Sequence, residues 1–467
     1  MDSESRFSRP IPRLSRREVL QQAGTGFGYL ALSGLLGQNV ARGTGQGKPG
    51  PDQPGPLAPK APHFPTKAKR IIFLFMQGAM SQMDTWEYKP TLQQNDGKVG
   101  PGGGSLVSSK FKFAQHGETG TWVSELYPNL SKHVDRFCFL RGLHTDTPAH
   151  PEAVIQIHTG ATLVQLSRPS IGSWLLYGLG TENQNLPGYV TINPPPNFGG
   201  AVNFGCAFLP AHYQGTRVND QGYLPNLKAQ ASNRLQRRQL DLVQEMNKDL
   251  STSSSAPTEL DGVISSYELA FRMQGEVPDL LDISREPKRI LEEYGVTDGP
   301  TGSFARQCVM ARRLSEAGVR FVEICHPGWD QHNNLHQGLI RNCAATDRPV
   351  AALLADLDRR GLLDETLVLF GSEFGRLPTA QGPDGRDHNI TGYPMWLAGA
   401  GVKPGFSYGA TDEYGLNAVE GRMHTTDLHA TLLALMGLDH ERLIYRYAGR
   451  DFRLTDVKGE VAQEIFA

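Results

Sequence analysis

Six carboxylate and imidazole side chains in the C-terminal half of the chain have the types and spacing of metal ligands. They are Asp330, His332, Glu373, Asp387, His388 and His424. Zinc, magnesium, manganese and iron sites use such ligands, held by rigid elements. Asp330 and His332 stand two residues apart, and Asp387 is adjacent to His388. Each pair can reach one point if its loop turns. Together the clusters predict a metal site, and the alternative is that these residues are helix caps and loop salt bridges.

Two apolar runs would position these side chains at one edge of a sheet. Residues 366–370 form a run that suits a strand buried on both faces, and Glu373 and Arg376 follow it. The earlier run at residues 319–324 is followed in the same way by Asp330. Open α/β sheets bind ligands outside the carboxyl ends of their strands. We therefore expect both sets of side chains at one site.

Further apolar runs predict strands at residues 71–76, 136–140, 188–192 and 393–398. Helical periodicity predicts helices at residues 224–250, 260–293, 304–317, 347–360 and 428–436. The helix at residues 347–360 lies between the two ligand-bearing strands, which is the order of a βαβ crossover in a parallel sheet. The chain is therefore predicted to have an α/β fold, with a doubly wound, mostly parallel central sheet and helices on both faces.

The sequence also predicts structural or functional roles for four positions outside the main clusters. Gly78, after the first predicted strand, suits a tight turn, and Asp84 is either a metal ligand or the N-cap of the next turn. His150 precedes a proline at a helix start, where it would point toward a bound anion. His158, farther along that helix, is expected to be plain helix surface or core. His424 itself lies just before a helix that we expect one of the next two threonines to cap.

Composition excludes several classes of protein. The 467 residues are 39% hydrophobic and 20% charged, which is enough for a sizeable core. A net charge of −2 gives no electrostatic basis for binding nucleic acid or an anionic membrane surface. The five cysteines are odd in number and lack CxxC spacing, so we expect most of them to be small buried residues rather than a disulfide scaffold.

Residues 1–42 have the pattern of a twin-arginine (Tat) export signal. Arg16 and Arg17 precede a Gly/Ala/Leu-rich run at residues 23–37 that is too short to span a membrane comfortably. The alternative is a basic amphipathic helix. Residues 43–67 are a Gly/Pro-rich linker, and residues 68–467 are predicted to form one domain with loop insertions. We expect the Tat machinery to export the protein to the periplasm or cell envelope. The signal is either cleaved near Ala41 or kept uncleaved, as the only membrane anchor.

Five stretches of the sequence form one set of motifs, IIFLFMQGAMSQMDTW, CHPGWDQHNN, LVLFGSEFGR, GRDHN and HTTDLHATLLALMGLD. Together they resemble the DUF1501 family of exported bacterial proteins, which is related to the alkaline phosphatase/sulfatase superfamily. The resemblance covers roughly residues 65–451 and implies an alkaline phosphatase-like fold with metal at the strand carboxyl ends. It implies ligands at Asp330, His332 and His424, and a further acid–histidine pair near Glu373 or Asp387 and His388.

Two positions depart from the superfamily pattern. Gln77 stands where an Asp ligand is usual, and His150 stands where a Ser, Thr or formylglycine nucleophile is usual. The sequence also contains no C-x-P-S-R motif, which disfavours a formylglycine sulfatase.

The resemblance implies an exported hydrolase of phosphate or sulfate esters, with a small-molecule or polysaccharide ester as substrate. One or two divalent ions, chosen among zinc, manganese, magnesium and calcium, would polarise the ester and lower the pKa of a bound water. Either that hydroxide attacks, or His150 attacks first. Arg376, with Arg386, would hold the tetrahedral anion. The rival interpretation, which Gln77 favours, is a non-catalytic, envelope-associated binding protein that retains the fold.

Overall fold

The computed structural model describes residues 55, 57–162, 167–195, 197–225, 227, 232–252 and 259–467. The predicted export signal and most of the predicted linker lie outside these residues. The strands are β1 (Arg70–Met76), β2 (Phe113–His116), β3 (Thr121–Ser124), β4 (Phe137–His144), β5 (Tyr189–Ile192), β6 (Thr216–Val218), β7 (Phe321–His326), β8 (Thr366–Gly371), β9 (Gly375–Ala380), β10 (Arg386–Asn389), β11 (Tyr393–Gly399), β12 (Phe406–Tyr408), β13 (Ala410–Thr411), β14 (Ala418–Glu420), β15 (Met423–His424), β16 (Tyr445–Tyr447) and β17 (Arg450–Phe452). The helices are α1 (Gln82–Thr85), α2 (Pro90–Gln94), α3 (His150–Thr159), α4 (Ile171–Leu179), α5 (Asn233–Thr252), α6 (Glu259–Leu281), α7 (Lys288–Tyr294), α8 (Gly302–Glu316), α9 (Leu335–Arg359) and α10 (Thr425–Leu435).

Nine strands form the central sheet. Their spatial order is β12-β4-β11-β8-β1-β7-β5-β6, and β15 pairs with β4. β11 runs antiparallel to β8 and β4, whereas the other pairs in this sheet are parallel. The prediction of an α/β fold with a mostly parallel central sheet is confirmed.

The three middle strands bring their carboxyl ends to one edge. Met76 of β1 lies opposite His326 of β7, and Phe75 lies opposite Gly371 of β8. These strands read as nearly continuous apolar runs because each has a strand on either side and is buried on both faces. The loops that follow the three strands therefore start side by side.

The helix between β7 and β8 is longer than predicted. α9 begins well before the predicted range of residues 347–360. The prediction missed its first turns because Gly338 and Asn342 have low helix propensity and Asp347 has the side chain of an N-cap. In the structure, the Asp347 carboxylate instead accepts a hydrogen bond from the backbone N–H of Asn129, at 3.1 Å.

Two other expectations can be compared with the described residues. All five cysteines are buried and free, where the sequence predicted burial of most of them. Within the described ranges, no helix combines the length and the hydropathy that crossing a membrane requires.

Candidate metal centre

Four side chains meet at the carboxyl edge of the sheet. His150, Asp330, His332 and His388 each offer a ligand atom, and these atoms all lie within 4.8 Å of one another. His150 is the first residue of α3, and His388 belongs to β10. Asp330 and His332 lie in the loop after β7. Residues that are distant in the sequence thus form one cluster because the strands deliver their loops to a common edge.

The three imidazoles converge on a single oxygen atom. The Nε2 atoms of His150, His332 and His388 lie 3.0, 2.9 and 3.4 Å from Oδ1 of Asp330. Nη2 of Arg376 lies 2.7 Å from the same oxygen. A carboxylate oxygen has about two lone pairs and cannot accept four hydrogen bonds. Nε2 of His150 is buried without a hydrogen-bond partner. The arrangement therefore fits three nitrogen ligands and one oxygen ligand around a divalent metal ion.

The other ring nitrogen of each imidazole faces an acceptor. Nδ1 of His150 lies 2.6 Å from Oε1 of Glu373. Nδ1 of His332 lies 2.5 Å from Oε1 of Gln381, and Nδ1 of His388 lies 2.6 Å from the carbonyl oxygen of Pro148. An Nδ1–H donated to such an acceptor leaves the Nε2 lone pair free for a metal. Metal-ligating histidines almost always have such a partner, which fixes the tautomer and the ring orientation.

Glu373 lies behind His150 rather than among the converging atoms. It follows β8, is fully buried, and also accepts a hydrogen bond from the backbone N–H of Gly78, at 2.9 Å. The sequence offered Glu373 as a ligand. In the structure its carboxylate reaches the centre through the imidazole of His150, so we assign it the role of orienting that ring.

Gly78 makes the close approach of two loops possible. Its φ is +111°, and a Cβ atom on it would lie 2.4 Å from the backbone nitrogen of Asp330. The tight turn expected at Gly78 is therefore needed to seat the loop that carries Asp330.

Arg376 supports the loops of the centre. Its guanidinium is fully buried and donates to Oδ1 of Asp330 and to four backbone carbonyl groups, those of Gly78, Ala79, Trp329 and Arg386. The sequence suggested that Arg376 holds a tetrahedral anion. Because its donors are directed to these protein oxygens, the structure instead gives Arg376 the role of holding Asp330 and the surrounding loops in place.

Asp84 and Arg386 form a separate buried pair. Nε of Arg386 lies 2.9 Å from Oδ2 of Asp84, which also accepts a hydrogen bond from Oγ of Ser81 at 2.6 Å. Asp84 is therefore neither grouped with the ligands nor the N-cap, a position that Ser81 occupies. Asp387 lies at the rim of the centre, 3.8 Å from Nδ1 of His332, with a side chain that is 54% exposed.

His424 lies outside the converging set because its ring is occupied elsewhere. Its Nδ1 accepts a hydrogen bond from the backbone N–H of Thr426, and the backbone N–H of His424 donates to the carboxylate of Asp427. These two bonds make His424 the N-cap of α10 in a capping box. The expectation that a threonine caps this helix is wrong. Nε2 of His424 lies 3.1 Å from Oδ1 of Asp146.

Electrostatics favour positive charge at the centre. Burial alone would lower the pKa of His150, but the carboxylates of Asp330 and Glu373 raise it to about 9. Burial would raise the pKa of Asp330, but His150, His388 and Arg376 hold it well below its usual range. The carboxylate of Asp330 therefore stays ionised, which favours a cation at the centre.

One side of the centre is open to solvent. The side chains of Asp330 and His332 are 37% and 31% exposed, whereas His150 and Glu373 are buried. Catalytic zinc sites keep an open coordination position, and structural sites do not. The open side leaves room for a water or a substrate.

Sequence reasoning missed the partners of two ligands. Gln381 is the first residue of the loop that joins β9 to β10, and Pro148 acts through its backbone carbonyl. No sequence pattern marks either residue. His158 was expected to be plain helix surface or core, and it is core: its ring is buried and its Nε2 lies 3.0 Å from Oε1 of Glu323.

Comparison with solved structures finds remote similarity to several proteins. A lipoteichoic acid synthase, LtaP, from Listeria monocytogenes is 11% identical, with a TM-score of 0.36 over 80% of this chain and 73% of that chain. A protein in the alkaline phosphatase superfamily from Vibrio parahaemolyticus is 11% identical, with a TM-score of 0.35 over 83% and 75%. A phosphonate monoester hydrolase from Silicibacter pomeroyi is 10% identical, with a TM-score of 0.33 over 79% and 73%. These values are too low to transfer an activity to this chain.

No curated protein matches the sequence. One family model, described as a protein of unknown function (DUF1501), matches residues 68–466. The match spans nearly all of the predicted domain and includes every candidate ligand. The chain therefore belongs to the DUF1501 family, as its motifs predicted.

Proposed function

We propose that this chain is an exported, metal-dependent hydrolase of phosphate or sulfate esters. The observation that carries the proposal is the convergence of three imidazole Nε2 atoms on Oδ1 of Asp330, at 2.9 to 3.4 Å, on the open side of the sheet edge. Structural salt bridges do not need three imidazoles on one oxygen, each with its Nδ1 already held. A metal that activates water does need such a ligand set.

The donor set narrows the choice of metal. Three nitrogen atoms and one carboxylate suit zinc, manganese or iron, because magnesium and calcium prefer oxygen ligands. Of the four ions expected from the sequence, we therefore propose zinc or manganese and set magnesium and calcium aside.

The roles of the residues follow from their contacts. His150, His332, His388 and Asp330 would hold the metal, which when bound supplies Lewis-acid polarisation of the ester and a water of lowered pKa. Glu373 keeps the Nδ1–H of His150 pointed away from the metal. Arg376 keeps Asp330 in place. Because both ring nitrogens of His150 face carboxylates, we assign it to the ligand set rather than to nucleophilic attack.

The metal content of the purified protein tests this proposal first. The wild type is compared with Asp330→Ala and His388→Ala, and with Asp364→Ala as the control. Asp364 is exposed and precedes β8, so it lies at the opposite edge of the sheet. We expect the wild type and the control to hold zinc or manganese, and the two ligand variants to lose it. The loaded protein is then assayed on matched phosphate and sulfate esters.

Two results would overturn the proposal. If the wild type purifies without metal and takes up neither zinc nor manganese nor iron, the cluster is structural. If it holds metal but hydrolyses none of the esters, the rival interpretation of a non-catalytic binding protein takes its place.

Export is part of the proposal and has its own test. Replacing Arg16 and Arg17 by lysine removes the feature that the Tat machinery recognises while keeping the charge. We expect the wild type in the periplasmic or envelope fraction and the double variant in the cytoplasm. An unchanged distribution would contradict Tat export without affecting the metal site.

A further inference from the structure

A second group of polar side chains lies beside the metal centre and is not used by it. Asp146 stands in the loop between β4 and α3, with its side chain 51% exposed. Oδ1 of Asp146 lies 3.1 Å from Nε2 of His424, and Oδ2 accepts a hydrogen bond from Nε2 of Gln156 at 2.6 Å. The group thus consists of a half-exposed carboxylate held by two donors.

Both donors have fixed orientations. Gln156 is buried, and its Oε1 accepts a hydrogen bond from Oγ1 of Thr145 at 2.7 Å, so its NH₂ group points at Asp146. Nδ1 of His424 accepts the N–H of Thr426, so in the neutral ring the proton is on Nε2. Water alone could supply the hydrogen-bond donors that an exposed carboxylate needs. Here two protein donors with fixed orientations hold the oxygens of Asp146 in one orientation.

The same loop connects Asp146 to the metal centre. Thr145 donates its N–H to the carbonyl of Ile390 at 3.0 Å, and the carbonyl of Pro148 lies 2.6 Å from Nδ1 of His388. Asp146 lies between these anchors, two residues before the carbonyl that orients His388. Two residues span at most about 7 Å. The backbone of Asp146 therefore lies within about 7 Å of that of Pro148, whose carbonyl contacts the ligand His388.

We propose that Asp146 binds a hydroxyl group of the substrate, and that the alcohol part of the ester is a sugar or another polyol. This inference rests on the proposed function for the end of the substrate at the metal. A carboxylate only accepts hydrogen bonds, so its ligand must be a donor such as a hydroxyl or an ammonium group. Of these two donors, the hydroxyl is the one that the alcohol of a polyol ester carries beside its ester oxygen.

The first test measures binding without any ester. Saturation-transfer NMR is recorded with methyl α-D-glucopyranoside and the protein as purified, for the wild type, Asp146→Asn, Asp146→Ala and the control Asp364→Asn. We expect the wild type and the control to bind the glycoside. We expect the Asp146 variants to bind it at least about tenfold more weakly, since hydrogen bonds to charged groups contribute most. Ethanolamine serves as the competing amine probe.

The second test uses turnover. We compare kcat/KM for glucose 6-phosphate and phenyl phosphate, and we expect Asp146→Ala to lower the ratio of the two values by at least about tenfold. Absence of glycoside binding by the wild type, equal binding by Asp146→Ala, or binding of ethanolamine in its place would each overturn the inference. Absence of metal or of any turnover would instead contradict the proposed function, and the glycoside result would still decide the role of Asp146.

Discussion

Glu373→Gln is expected to weaken metal binding by about 10- to 100-fold although no ligand is removed. Glutamine keeps the shape of the side chain and an oxygen that can accept the Nδ1–H of His150, but it has no charge. Glu373 is fully buried and its Oε1 lies 2.6 Å from Nδ1 of His150, so water screens the lost charge very little. The expected factor corresponds to about 1.4 to 2.7 kcal/mol of binding free energy.

The assay is a competition for zinc between the protein and a chromophoric chelator of known affinity. The wild type is compared with Glu373→Gln, with His388→Ala as the variant that loses a ligand, and with Glu365→Gln as the matched control. Glu365 precedes β8 at the opposite edge of the sheet, where it is partly exposed and paired with Lys69. We expect the order of affinity to be wild type equal to the control, then Glu373→Gln, then His388→Ala. Circular dichroism of each metal-free variant checks that the fold is retained.

One pattern of results would refute the reasoning about Glu373. If Glu373→Gln binds zinc within about twofold of the wild type while His388→Ala loses it, the carboxylate does not tune the imidazole as carboxylate–histidine pairs do. If the zinc affinity of neither variant differs from that of the wild type, the proposed ligand set itself is wrong.

Two further predictions concern the surroundings of the centre. Gly78→Ala is expected to displace Asp330 and to lower zinc affinity in the same competition assay, because the new Cβ would lie 2.4 Å from the Asp330 nitrogen and alanine disfavours a φ of +111°. The control Gly275→Ala, in open space on a helix, should stabilise the fold by about 0.5 to 1 kcal/mol. Glu323→Gln is expected to flatten the pH dependence of unfolding. In the wild type the pKa of the buried His158 is raised above 6.5, since its burial is outweighed by Glu323. Its stabilisation is therefore complete below about pH 6.5 and is lost as the pH rises through the raised value. Urea unfolding of both proteins, kept metal-free with a chelator, measures the free energy of unfolding at pH 6 and pH 9. An equal change between the two pH values in the wild type and the variant would exclude an ion pair.

The strands that carry the centre could be predicted because burial on both faces leaves a strong local signal. Strands β1, β7 and β8 are continuous apolar runs, and their carboxyl ends coincide in the sheet. Asp330 and His332 lie in the loop after one such strand, and His388 lies in the hairpin that follows another. Position along the chain was therefore enough to predict that these three residues meet.

The role of each residue within the site could not be predicted in the same way. Glu373 and Asp330 both follow buried strands, so the sequence does not distinguish them. In the structure the ring of His150 lies between the two carboxylates, so that Asp330 belongs to the converging atoms and Glu373 orients the ring. Arg376 looks like an anion-binding residue in the sequence, yet its donors are used by carbonyls from the loop after β1, the loop after β7 and strand β10. Such roles depend on contacts between residues that are between 10 and 298 positions apart, and no local pattern encodes them.

The position of His424 provides the sharpest test of how far motif similarity can be trusted. The superfamily pattern implies a metal ligand there, whereas the structure makes His424 the N-cap of α10 and pairs its Nε2 with Asp146. Asparagine is among the best N-cap residues but lacks an imidazole. His424→Asn should therefore keep the helix, with a change in the free energy of unfolding of about 1 kcal/mol or less, and should bind zinc as the wild type does. The corresponding His388→Asn variant should lose zinc. If His424→Asn loses zinc while its unfolding free energy is unchanged, the ring swings toward the metal when the ion binds, and the motif describes the ligand set better than the contacts do.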